Sequence, residues 1–153
     1  MIDCGRYSLA ILGNWSRSTS IPQKIKFATI CLYKLDMENK KKGCLFCGVQ
    51  QKNIIAENKL AIAMRDNYPV SKHHALVIPK RHVEDYFDLA KDELLACNIL
   101  LKYIRDDILK DDPSVEGFNI GVNSGAVAGQ SVFHCHIHLI SRRPGDVDNP
   151  RGG

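Results

Sequence analysis

Residues Phe133 to Ile140 read F-H-C-H-I-H-L-I. In an extended strand successive side chains point to opposite faces, so His134, His136 and His138 fall on one face and Phe133, Cys135, Ile137 and Leu139 on the other. Three imidazoles in a row supply either nucleophiles that are uncharged near neutral pH or metal ligands. Ahead of them stand Gly121, Asn123, Gly125 and the run Gly129-Gln130-Ser131, which predict a turn whose backbone N–H groups are free to face an anion. Phosphate chemistry suits such a site. On the triad alone three readings stay open: attack on phosphorus, a three-histidine metal site that activates water, and a polar strand face without chemistry.

The elements that must position these residues are legible from Cys44 onward. Leu60, Ile62 and Met64 alternate with Ala61 and Ala63, which predicts a strand over 59–65; a loop with Pro69 follows, then a second strand over 74–78 ended by Pro79. Leu94, Cys97, Leu101, Ile104 and Ile108 recur at spacings of three and four, the seam of an amphipathic helix over about 90–110, with Asp92 and Glu93 in its first turn and Pro113 beyond its end. Phe118, Ile120 and Val122 alternate in a third strand, and the histidine stretch is the fourth. Four strands and one long helix predict an α+β fold, an antiparallel sheet covered on one side. Residues 1–43 are weakly specified, with candidate elements at 7–12 and 25–33, and the tail from Arg142 onward is expected to be irregular.

The chain has 153 residues, 44% of them apolar and 25% charged. That length suits one core. No apolar run approaches the roughly 20 residues that cross a bilayer, and Arg6, Asn14 and Arg17 interrupt any leader-like stretch near the N-terminus. A cytoplasmic location is the expectation. Of six cysteines, Cys44 and Cys47 form a C-x-x-C pair and the others are scattered, a reduced-thiol pattern with one candidate metal site. The net charge of +4 permits an anionic ligand without arguing for one. No basic patch with interleaved aromatics is present, so nucleic acid is not an expected partner.

The stretch G-Q-S-V-F-H-C-H-I-H-L-I resembles the signature of the histidine triad (HIT) family. Four further pieces match in order: C-L-F-C at Cys44 to Cys47, R-D-N-Y-P-V at Arg65 to Val70, H-A-L-V-I-P-K-R-H at His74 to His82, and N-S-G-A-V-A-G-Q-S at Asn123 to Ser131. The likeness is to the zinc-containing branch of nucleotide hydrolases and transferases, and it implies a HIT domain over 44–153 preceded by an extension over 1–43. Implied roles are specific. His136 would attack the α-phosphorus of a nucleotide to give a covalent nucleotidyl-histidine, His138 would touch the same phosphate, and Ser131 would hydrogen-bond near the leaving oxygen. Asn123, Gly129 and Gln130 would complete a phosphate cradle, Asp66 would take the ribose hydroxyls, and Leu45, Phe46 and Met64 would line the base pocket.

The same resemblance places a structural zinc on Cys44, Cys47, His82 and His134, four protein ligands that leave no open position for water. His74 is implied to be a hydrogen-bonding support, and His73 matches nothing and is expected to be exposed. The resemblance further implies dinucleoside polyphosphate or nucleoside phosphoramidate substrates and a homodimer. The competing readings are a metal-dependent hydrolase with its ion on all three triad histidines, and a nucleotide-binding module without catalysis.

Overall fold

The computed structural model describes residues 40–149; the candidate elements at 7–12 and 25–33 lie outside them. Five strands form one antiparallel sheet: β1 (Ile54–Glu57), β2 (Ala61–Arg65), β3 (Ala75–Pro79), β4 (Gly117–Gly121) and β5 (Ile137–Arg142), in the spatial order β1-β2-β3-β5-β4. One helix, α1 (Lys91–Asp111), lies over β1, β2 and β3. The α+β class and the one-sided helix are as the sequence predicts, with a fifth strand added.

Side-chain size explains how the two faces of the central strands are used. On the helix side β2 and β3 present Ala61, Ala63, Ala75 and Val77, small residues that let α1 pack Ala96, Cys97, Leu100, Ile104 and Ile108 close against the sheet, joined by Ile137 and Leu139 of β5. On the opposite side Ile62, Met64, Leu76 and Ile78 form a second apolar layer under Phe46, Val49 and Ile54. Strands buried on both faces read as continuous apolar runs. Each fully buried isoleucine or leucine here contributes about 1.5–3 kcal/mol of transfer free energy.

Strand pairing carries this second layer to the histidines. Ile54 pairs with Met64, Met64 with Leu76, Leu76 with His138, and His138 with Gly121, so one row of side-chain positions crosses all five strands. Directly paired residues of antiparallel strands point to the same face. His138 therefore stands on the apolar face opposite α1, and at the sheet edge its neighbour is a glycine.

Three departures from the sequence reading have physical causes. Strand β1 was missed because it is four residues long and its register shifts between Ile54 and Ala56. It is fixed by Asn58, whose Oδ1 accepts from the N–H groups of Leu60 and Ala61 while its amide donates to the Ala96 carbonyl of α1 at 2.8 Å. The buried seam of α1 includes Ala96 and Leu100 in place of Leu94 and Leu101, which are only partly buried. Strand β5 begins at Ile137 and not at Phe133, because the backbone around His134 is committed to other contacts.

Helix α1 starts where Glu93 accepts the Ala90 N–H at 2.9 Å, one half of a capping box. Arg81 grips the same carboxylate through Nε and Nη2 at 2.8 and 2.6 Å, which ties the segment after β3 to the helix N-terminus. The helix ends at Asp111; Asp112 caps it with an N–H given to the Ile108 carbonyl and is followed by Pro113. Beyond the edge of α1, Ile120 of β4, 60% exposed, lines a groove of about 590 Å³ with Leu94, Leu95, Leu101 and Val122.

Candidate active site and metal centre

The loop 41–48 is wound tightly around its two cysteines. Gly43 takes φ +83°, a conformation that side-chain-bearing residues rarely adopt; Cys44 donates its N–H to Lys41 O and Gly48 donates to Cys44 O, both at 3.2 Å. The Lys41 N–H points at Cys47 Sγ, 3.3 Å away. Across from this loop, His134 Nδ1 lies 3.4 Å from Cys44 Sγ, 3.6 Å from Cys47 Sγ and 3.3 Å from His82 Nδ1, and His82 Nδ1 lies 3.5 Å from Cys47 Sγ.

These spacings can be tested against a metal. Tetrahedral zinc with bonds of about 2.0–2.1 Å to nitrogen and about 2.3 Å to sulfur needs N···N edges of about 3.3 Å and N···S edges of about 3.5–3.6 Å. The four donors fit that size. The proton positions fit as well: His134 Nε2 donates to the Pro79 carbonyl at 2.9 Å, which leaves Nδ1 with its lone pair toward the thiols. Burial holds the His134 imidazole below its ordinary pKa and pushes the Cys47 thiol up. A cation among them would favour the thiolate. His82 Nε2 is buried without a hydrogen bond, 3.7 Å from Glu84 Oε1.

From His134 the chain turns toward the sheet. Cys135 donates its N–H to Val83 O at 2.6 Å, and the His134 carbonyl accepts from His136 Nδ1 at 2.8 Å. The acceptor that fixes the His136 ring is thus a backbone oxygen two residues upstream, which side-chain spacing alone does not reveal. With its proton on Nδ1, His136 presents a lone pair at Nε2. The ring is 5% exposed and packs edge-on to Phe46, centroids 5.1 Å apart, and to His138 at 5.0 Å.

His138 is supported from the residue that precedes β3. His74 Nε2 lies 3.0 Å from His138 Nδ1, while His74 Nδ1 faces both the Val70 N–H at 3.3 Å and Asp66 Oδ2 at 3.3 Å. If Nδ1 accepts from Val70, the His74 proton is on Nε2 and is donated to His138. That leaves His138 with an N–H on Nε2, a donor for a phosphate oxygen. Burial, with His136 and His74 adding to it, holds His138 down to about 4.

An imidazole whose native pKa lies below its unfolded value, about 6.5, contributes stability that is present above that value and lost as pH falls through the native one. The midpoint of thermal unfolding should accordingly fall between pH 6.5 and 4. Circular dichroism melts should show a shallower fall for His138→Asn than for the wild type.

The three triad histidines do not converge on one point. His134 turns to the thiols and His136 to the backbone, and no group of potential metal ligands among the described residues contains all three. Geometry favours two separate jobs on one strand entry.

The loop between β4 and β5 is built from inside. Gly125 and Gly129 have φ +88° and +84° around a 3₁₀ turn over Ala126–Ala128. A Cβ on Gly129 would stand 3.1 Å from Asn123 Nδ2, and that amide donates to the Ala128 carbonyl. Gln130 is buried: its Oε1 accepts from Gly125 N at 2.8 Å and its Nε2 donates to Glu84 O at 2.8 Å and Val132 O at 3.1 Å. The sequence reading of Gln130 as a cradle donor needs correcting, since its side-chain amide is spent on shaping the loop. Ser124 ties the same loop to Asp85 with a 2.6 Å hydrogen bond. Ser131 is exposed at the loop end.

Around this centre Asp66 Oδ1 accepts the Tyr68 N–H at 2.9 Å, and its carboxylate borders a cavity of about 470 Å³ with His74. Phe46 and Met64 belong to the apolar layer beside His136, whereas Leu45 is 72% exposed. His73 corrects another expectation. Its side chain is 11% exposed, its backbone takes φ +71°, and Nε2 lies 3.4 Å from Asp112 Oδ2, so it packs against the end of α1 and is not free in solvent.

A five-stranded antiparallel sheet with a helix on one face, and paired imidazoles on the other, defines a class of small α+β domains. Within it the profile of the HIT domain matches residues 48–145. An uncharacterized HIT-like protein of Mycoplasma genitalium is 40% identical over 109 residues, 69% of this chain and 77% of that protein. An adenylylsulfatase of Arabidopsis thaliana is 31% identical over 117 residues, 74% of this chain and 59% of that protein. The crystal structure of a zinc-bound histidine triad protein from Mycobacterium smegmatis superposes with a TM-score of 0.63 at 30% identity, covering 72% of this chain and 83% of that one. The chain belongs to the HIT family, a family of nucleotide hydrolases and nucleotide-binding proteins.

Proposed function

We propose that the protein is a hydrolase or transferase acting on the α-phosphate of nucleotides through a covalent nucleotidyl-histidine. The observation that carries this reading is the 2.8 Å bond from His136 Nδ1 to the His134 carbonyl, which fixes the ring and turns Nε2 to the task of nucleophile. In the first step Nε2 bonds to phosphorus and the bond from phosphorus to the leaving group breaks. The leaving group takes its proton from the His138 or Ser131 side. In the second, water bonds to phosphorus and gives a proton back to the His138 or Ser131 side, the P–N bond breaks with its electron pair returning to His136 Nε2, and the nucleoside monophosphate leaves. The Ala126 and Val127 N–H groups of the turn and the Asn123 amide hydrogen not given to the Ala128 carbonyl would face the non-bridging oxygens, where one well-placed donor is worth about 2.7–4 kcal/mol. Asp66 would take the ribose, and Phe46 with Met64 the base.

The Arabidopsis relative is named for a reaction at an adenylyl group joined to sulfate, the same kind of phosphorus centre. Dinucleoside polyphosphates and nucleoside phosphoramidates are the proposed substrates, and apolar base contacts leave base choice loose. Cys44, Cys47, His82 and His134 would hold a zinc ion as a structural clamp, in keeping with the zinc-bound mycobacterial structure. Intact-mass spectrometry of protein quenched during turnover of diadenosine tetraphosphate tests the chemistry. A gain of one adenylyl group, absent from His136→Asn, is expected; turnover with no adduct would favour direct attack by water.

A homodimer through the β4 edge belongs to the same proposal. The exposed Ile120 and Leu95 beside the groove of about 590 Å³ are an apolar surface that a second copy would cover. Sedimentation velocity should give a dimer for the wild type and a monomer for Ile120→Asp.

A further inference from the structure

The contacts that support His138 have a second use. Asp66, His74 and His138 each offer a ligand atom, and these atoms lie within 4.8 Å of one another. His74 Nε2 and His138 Nδ1 are 3.0 Å apart, Asp66 Oδ2 is 3.3 Å from His74 Nδ1 and 4.0 Å from His138 Nδ1. Only one nitrogen of His74 can serve an ion, and it is Nε2 that faces His138; the edges of a four-coordinate site for a zinc-sized ion are about 3.3 Å, so closure asks the Asp66 carboxylate to swing from His74 Nδ1 toward the Nε2 side and the ion to replace the His74–His138 hydrogen bond. His138 sits on β5 opposite Leu76 and His74 immediately precedes β3, which fixes their approach, while Asp66 lies at the start of the loop that follows β2, its N–H given to the His74 carbonyl at 3.1 Å. Burial keeps both rings in the uncharged form that ligates metals. The carboxylate is 14% and His138 22% exposed, so solvent ions reach them.

We propose that Asp66, His74 and His138 form a second, exchangeable site for a divalent ion of the zinc and copper class, separate from the centre on Cys44, Cys47, His82 and His134. Two imidazoles and one carboxylate favour such ions over magnesium or calcium, which prefer oxygen donors. Unlike the four-ligand centre, this set leaves a coordination position open, and it binds more weakly because it carries a single charged ligand. Resting on the nucleotide reading above, the site has a regulatory consequence. An ion bound there takes Asp66 from the ribose and His138 from the phosphate, so metal and nucleotide exclude each other.

Equilibrium dialysis of the full chain against buffered free zinc, with bound metal counted by elemental analysis, tests the site. As free zinc rises the wild type should take up one further equivalent per chain beyond the tight one. Asp66→Asn and His74→Asn should each lose that further equivalent while keeping the tight one, which also certifies that they fold. Absence of a second equivalent in the wild type, or its retention by either variant, overturns the site. Repeating the dialysis with saturating adenosine monophosphate separates the two readings. A several-fold rise in the free zinc needed is expected; a second zinc indifferent to the nucleotide overturns the shared-site claim and leaves the metal site standing.

Discussion

Replacing His136 by Asn should lower turnover of diadenosine tetraphosphate by about 10⁴-fold or more, as loss of a covalent nucleophile does in other enzymes that work through one. The substitution keeps an amide of similar size against Phe46 and a donor toward the His134 carbonyl, so the packing at 5.1 Å and the anchor at 2.8 Å have counterparts in the variant. Bound zinc and the affinity for a non-hydrolysable nucleotide should change little. Steady-state kinetics with calorimetric nucleotide binding on the same preparation checks both halves. A variant that retains a tenth of the wild-type rate would remove His136 from the chemistry.

The second large effect is expected at the metal centre. Cys47→Ala removes one of four donors and leaves His134 with the Cys44 thiol at 3.4 Å and His82 at 3.3 Å. Structural zinc sites hold ions with apparent free energies of about 10–16 kcal/mol in isolated zinc-finger peptides at neutral pH. Loss of even part of that from a domain of this size should lower the thermal midpoint by about 10 °C or more. Elemental analysis should show the tight zinc gone, and a strong chelator should reproduce the shift in the wild type while leaving the variant unmoved. Equal melting of both proteins with and without chelator would mean that the centre holds no structural ion.

How much of this was legible beforehand depends on the range over which each feature is determined. Strands β2 and β3 and helix α1 follow from local alternation and periodicity, and all three lie within two residues of where the pattern places them. The four-residue β1 does not, since its hold comes from Asn58 reaching the Ala96 carbonyl, 38 residues away. The histidine stretch shows the limit most clearly. Its perfect alternation reads as strand from Phe133, yet the pull of Pro79 O on the His134 ring and of Val83 O on the Cys135 N–H keeps the backbone out of the sheet until Ile137.

The candidate site residues were readable as types and spacings because imidazoles, thiols and glycines have few competing uses in such runs. Their partners were not. His74 meets His138 across 64 positions of sequence, and Gln130, a polar residue beside a glycine, looks like a ligand donor until its three hydrogen bonds are traced to Gly125, Glu84 and Val132. His73 gave no signal at all; its left-handed backbone and its approach to Asp112 depend on the far end of α1.

His134 gives its ring to the thiols and its carbonyl to His136, so a single peptide unit joins the two centres. An event that disturbs that ring, such as oxidation of the cysteines, acts on the same residue whose carbonyl braces the neighbouring imidazole. The thiol pair and the His136 imidazole thus hang on one residue, His134, and are coupled through it.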